Sequence, residues 1–153
     1  MRRYSIIHPE VTPEAYISRS SDSKSNYVKG VYIPSSISQY VKIIYADPQN
    51  VIKEYLHPAT VIDCVPINPY CHMYVDMYSH LDQNSMNIVA TKLYRHSYVN
   101  IFGSPSKDII HGPVLLYGSY SSLKKLKHLK DHSVPYEIVE QIFRLYQNDC
   151  YEL

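Results

Sequence analysis

Tyr27-Val28-Lys29-Gly30-Val31-Tyr32-Ile33-Pro34-Ser35-Ser36-Ile37-Ser38-Gln39-Tyr40-Val41-Lys42-Ile43-Ile44-Tyr45 is the stretch on which the fold turns. Its first seven residues are rich in β-branched and aromatic side chains and stop at Pro34, the pattern of a strand. Tyr40–Tyr45 has a competing helical reading from Ser35, because Ile37, Tyr40, Val41 and Ile44 also fit a 3.6-residue period. Three of its six residues are β-branched and Asp47-Pro48 closes it at once, which favours strand and suggests an antiparallel hairpin with 27–33.

Downstream, Asp47 is placed to cap a short helix over Val51–Leu56, with Pro48 at its first position and Pro58 forbidding its continuation. Val61–Ile67 reads as a strand whose Pro66 marks an edge or an end. Asn68-Pro69-Tyr70 is a turn, and Cys71–Met77 is the next strand. Met86, Val89, Ala90 and Leu93 form a helical stripe with Asn84 or Ser85 as its cap. Val114–Gly118 is short and apolar enough for a buried strand. Leu123, Leu126 and Leu129 suggest one or two helical turns. Ile138, Val139, Ile142, Phe143 and Tyr146 share one face of a helix opened by Pro135. The expectation is an α+β fold: a single small mixed or antiparallel sheet with helices packed on one face.

Upstream, residues 1–26 read as a partly flexible N-terminal arm before a single domain over 27–153. Tyr4–Ile7 can form a short strand, whereas the Ser-rich run 18–25 lacks the hydrophobes that offset backbone ordering.

At 153 residues and 17.8 kDa the chain is long enough for one well-buried core. Fifteen Lys and Arg against fourteen Asp and Glu give a net charge of +1, which excludes polyanion binding driven by net charge alone. Cys64, Cys71 and Cys150 are too few, and odd in number, for a disulfide framework. Free thiols, no apolar run suited to a secretory leader and none of about 20 residues to span a bilayer together suggest an intracellular protein without a membrane partner. Ten Lys to five Arg, four Gly, four Ala and 17 Tyr are the bias of an AT-rich coding genome.

Four segments together resemble a small domain family of unknown function: Val61–Ile67, the strand carrying Asp76, Asn87-Ile88-Val89-Ala90-Thr91, and His111-Gly112-Pro113-Val114. That family occurs in phages, plasmids, other mobile elements and large DNA viruses. Asn87, Ala90 and Thr91 match its Asn-x-x-Ala-Thr helix start, and Gly112 and Val114 match its Gly-x-Val strand. The likeness covers about 40–147; the long Tyr94–Lys107 segment and the first 39 residues depart from it. It implies a fold and a viral or mobile-element habitat, and no activity.

Asn87 and Thr91 are candidates for ligand or partner contact, since an amide and a hydroxyl at a helix start can bind a ligand beside free N–H groups. The alternative is that Asn87 ties a turn to the sheet. Lys124, Lys125, Lys127 and Lys130, with Tyr117 and Tyr120 upstream, form a candidate nucleic-acid segment: lysines displace counterions from phosphates and tyrosines stack on bases. A solvated helix face is the alternative. Cys64, Cys71, His72 and His80 have the wrong spacing for zinc, and adjacent Cys71 and His72 belong on opposite faces of a strand. Four glycines leave no phosphate-cradling or dinucleotide fingerprint, so no cofactor is expected. The reading is a non-enzymatic binding protein engaging a protein, itself or a host's. Nucleic-acid binding is the alternative, and a small enzyme with a Cys/His site the second.

Overall fold

The computed structural model describes residues 3–7, 26–36, 39–56, 61–79, 86–102, 108–119 and 131–147. They form strands β1 (Arg3–Ile7), β2 (Val28–Ile33), β3 (Val41–Ala46), β4 (Ile62–Asn68), β5 (Cys71–Asp76) and β6 (Val114–Gly118). Helices are α1 (Pro48–Tyr55), α2 (Ile88–Phe102) and α3 (Tyr136–Gln147). The six strands make one sheet in the order β1-β3-β2-β6-β5-β4, and every neighbouring pair is antiparallel. The hairpin expected from 27–45 is β2–β3, with Val31 opposite Ile43. The first strand comes from the N-terminal arm and pairs Ser5 with Ile43; the Ser-rich run lies outside the described residues.

Strand alternation divides the core in two. Val31, Ile33, Val41, Ile43, Met73 and Leu116 point to one face, where α2 and α3 cover them through Leu93 and Ile142. Ile44, Ala46, Leu115 and Tyr117 point to the other, against Val51 and Leu56 from α1 and the residue that follows it. The two longer helices thus share one face as the sequence suggests, and the short helix packs on the other. Coverage on both sides explains why central strand β6 is apolar and buried at every position.

Local chemistry sets the boundaries. Asp47 caps α1 by accepting from the Gln49 N–H at 3.1 Å, with Pro48 at the first position. Pro66 sits on β4, an edge strand, at a register shift where its missing N–H is tolerated. Helix α2 begins later than expected. Its cap is Asn87, not Asn84 or Ser85: Asn87 Oδ1 accepts from the Ala90 N–H at 3.0 Å.

Strands β2 and β6 part beyond Val31 and Leu116, and residues 132–134 fill the opening. His132 and Gly118 exchange backbone bonds of 2.9 and 2.7 Å, and Val134 N–H reaches the Lys29 carbonyl at 2.9 Å. On the opposite face the Tyr117 ring lies against Gly30, where a Cβ would meet ring carbon Cζ at 2.5 Å.

Candidate functional site

Two places in the described structure gather chemically capable side chains. The first grows from the alternation of β5. Cys71 faces the two-helix side, so His72 and Tyr74 face the other, and Cys64 on β4 pairs with Tyr74. His72 is 1% exposed. Its Nδ1 is hydrogen-bonded to Ser119 Oγ, and its Nε2 to Asp131 Oδ1 at 2.6 Å. Tyr74 donates its hydroxyl to the same carboxylate oxygen at 2.7 Å. An ionised carboxylate only accepts, so Nε2 carries the proton, and in the neutral ring Nδ1 accepts from the Ser119 hydroxyl.

Serine, histidine and aspartate in one chain of bonds are the members of an acyl-transfer relay. Here the serine is 7% exposed and its backbone N–H is bonded to Tyr70 at 2.8 Å. Ser119 and Asp131 also bound residues 120–130, and Gly118 pairs with His132 just outside them. His72 therefore holds Ser119 and Asp131 together against the sheet. The residues it brings together were not assembled by sequence reasoning, which weighed His72 as a metal ligand and did not single out Ser119 or Asp131.

Among the described residues, neither cysteine has an activated nucleophile's environment. Burial, then Asp131 and Asp63, push the Cys64 thiol up to about 11. Burial pushes Cys71 up further, and its Sγ lies 3.9 Å from the His72 carbonyl. Such thiols stay protonated near neutral pH and are poor nucleophiles. Cys71 and His72 do occupy opposite faces, and among the described residues no three His, Cys, Asp or Glu side chains are placed to hold a metal ion. His80 and Cys150 lie outside the described residues.

Asn87 and Thr91 are buried and committed to the backbone. Asn87 Nδ2 donates to the Ile33 carbonyl at 3.1 Å and the Gly112 carbonyl at 2.9 Å, while its Oδ1 caps α2. Thr91 Oγ1 donates to the Ile110 carbonyl at 3.3 Å and accepts from its N–H at 3.0 Å. Both groups thus fasten α2 to the 110–112 segment. Lys124, Lys125, Lys127, Lys130 and Tyr120 lie outside the described residues. Tyr117 is fully buried beneath α1, so its ring is not presented for base stacking. Burial, Asp131 and Asp47 all raise its hydroxyl's pKa.

The second place is a groove of about 450 Å³ at the far end of β4 and β5. Asp63, Asp76 and Asp108 line it together with Met77 and Ile109, which are 43% and 44% exposed. Met77 N–H bonds the carbonyl of exposed Val61 at 3.1 Å, which sets Val61 beside Met77 along the backbone. A wider groove of about 720 Å³ between α2 and α3 has Lys92 and Arg95 on one wall and Glu137, Glu140 and Arg144 on the other, where Arg144 pairs with Glu140.

No described helix is long and apolar enough to cross a membrane. No family model matches the chain, and no curated protein sequence matches it. Among solved structures it is similar to the crystal structure of the small RNA methyltransferase HEN1, at 18% identity and a TM-score of 0.41. That similarity covers 84% of this chain and 17% of the other, so this chain spans less than a fifth of that protein's length.

Proposed function

We propose that the chain is a non-enzymatic binding protein that engages a protein partner through the end of its sheet, and that it is encoded by a virus or mobile element. The observation that carries the binding reading is the patch formed by Val61, Met77 and Ile109: exposed apolar side chains gathered beside an edge strand. Isolated exposed hydrophobes need no explanation, but gathered ones are the usual mark of an interaction surface. The raised pKa values of Cys64 and Cys71 support the non-enzymatic part, since thiols that stay protonated near neutral pH are weak nucleophiles. A photo-crosslinking residue at Ile109, compared with one at exposed Asn50 on α1, tests the reading in the cell that encodes the protein. Protein adducts at Ile109 alone are expected. Adducts at neither position, or equally at both, would overturn it.

A second reading is nucleic-acid binding through Lys124–Lys130. One observation favours it: Ser119 and Asp131, which flank the four lysines in sequence, are both hydrogen-bonded to His72. Its signature is affinity for single- or double-stranded DNA or RNA that falls steeply with salt. A salt slope near zero overturns it.

A further inference from the structure

We infer that the outer edge of β4 is a strand-pairing surface for a second copy of this chain, and that Asp63 and Pro66 hold it shut. Such a closure does not depend on the protein-partner reading, which places contact at side chains and not at the backbone. Strand β4 ends the sheet, with β5 its neighbour among the described strands. In an antiparallel pair, successive residues turn their N–H and C=O alternately toward and away from the partner. Met77 sets the phase, because its N–H bonds the Val61 carbonyl at 3.1 Å. Val61, Asp63 and Val65 therefore address β5, the last two opposite Val75 and Met73. Ile62, Cys64 and Pro66 turn their backbone groups outward.

At Cys64 and Pro66 the outward donor is taken or missing. Asp63 is exposed, and its Oδ1 accepts from the outward Cys64 N–H at 2.9 Å. Pro66 has no N–H, and the register shifts just beyond it, before Asn68. A charge, a proline and a bulge are means by which sheet edges avoid pairing with other chains. Symmetry makes the Asp63 contact the decisive one. Two β4 strands related by a two-fold axis at Cys64 would set Ile62 against Pro66 and Asp63 against Val65, with no two charges opposed. At the axis each Cys64 N–H would donate to the other copy's Cys64 carbonyl. Asp63 already holds that donor, and its carboxylate stands where the incoming carbonyl must come. With Pro66 unable to donate, Ile62 is left as the donor, too few bonds to order two strands.

Sedimentation velocity of the full chain tests this, with wild type beside Asp63→Ala, Asp63→Asn and Glu137→Ala. Alanine removes the acceptor, and asparagine keeps Oδ1 without the charge. Glu137→Ala takes an equal charge from an exposed position on α3. Asp63→Ala should self-associate at a concentration at least about tenfold lower than the other three, the size expected when the paired Cys64 bonds are regained. Its urea midpoint in dilute solution should match wild type, which verifies the fold. Hydrogen exchange identifies the surface: protection of the Cys64 amide in Asp63→Ala should rise with protein concentration, while that of Ile142 in α3 should not. An Asp63→Ala chain that sediments as wild type overturns the closure. Equal association of Asp63→Asn or Glu137→Ala overturns the role of the hydrogen bond. Association without protection at Cys64 overturns the pairing surface.

Discussion

The imidazole of His72 and the carboxylate of Asp131 meet at 2.6 Å although 59 positions separate them in the chain. The contact closes a neck: Ser119 takes the other ring nitrogen, and Gly118 pairs with His132 beside it. Tyr74 adds a second donor to the same carboxylate oxygen. Asp131→Asn removes the charge from two hydrogen bonds but keeps the shape, and should cost about 1–3 kcal/mol in urea unfolding. His72→Ala strands both Ser119 and Asp131 and should cost more. A local readout separates this role from general destabilisation: in Asp131→Asn, exchange protection of the Gly118 and His132 amides should fall before that of α3. Uniform loss of protection across the chain would refute the neck.

At Asn87 the ordinary preference of helix caps should invert. Asparagine and aspartate are near equivalents at exposed caps, because each supplies an acceptor oxygen. Here Nδ2 also donates to the Ile33 and Gly112 carbonyls in a buried site. Asn87→Ala should cost about 2–4 kcal/mol, from the lost cap and two carbonyls left without that donor. Asn87→Asp keeps the cap yet buries a carboxylate against two carbonyl oxygens, so it should be at least as damaging. Thermal melts of the two variants decide the order; a mild Asn87→Asp would mean these two carbonyl contacts contribute little.

Legibility in the sequence followed the range of the interactions. Asp47-Pro48 announces α1 because cap and acceptor lie two residues apart, and Pro66 announces an edge because its missing N–H is a local fact. Asn87 stands out by its family-like spacing, whereas local pattern places the cap at Asn84 or Ser85. Its other partners sit 54 and 25 residues away, beyond any window of periodicity. Tyr117 carried two conflicting signals, a buried apolar strand and an aromatic beside lysines, and the strand prevailed because α1 covers that face. The His72 network and the groove at Asp76 and Asp108 were illegible for one physical reason. Each gathers side chains from segments far apart in the chain that carry no mutual signal in sequence.

The two central-sheet glycines should respond differently to the same change. A Cβ on Gly30 meets the Tyr117 ring, whereas one on Gly118 meets the backbone carbonyl of Ser133. Either alanine substitution should cost about 1–3 kcal/mol by overpacking. Trimming the ring with Tyr117→Leu should relieve Gly30→Ala, giving a favourable coupling of about 0.5–3 kcal/mol in a double-mutant cycle. The same trimming should leave Gly118→Ala unrelieved, since no side chain obstructs it. Equal relief of both would show that the sheet shifts as a whole.

Alkaline pH should weaken the fold, and the sign follows from burial. Cys64 is pushed up from an ordinary 9.0 to about 11, and Cys71, Tyr74 and Tyr117 are raised as well, with burial the largest cause each time. In the native state these groups hold their protons to higher pH than they do unfolded. Above pH 9.0, where unfolded thiols ionise, the unfolded chain binds fewer protons than the native one. Stability therefore falls as pH rises, because its slope follows the protons bound by the unfolded chain minus those bound by the native one. The Cys64 contribution saturates above about 11, and the tyrosines add theirs from their ordinary 10.0 upward. Cys71→Ala separates this linkage from packing. It should lower stability at every pH, because it hollows the face under α2 and α3, yet flatten the decline between about pH 8 and about pH 10.5. Urea midpoints at those two values for both chains measure the difference, and an unchanged decline in the variant would place the alkaline sensitivity elsewhere than in the buried Cys71 thiol.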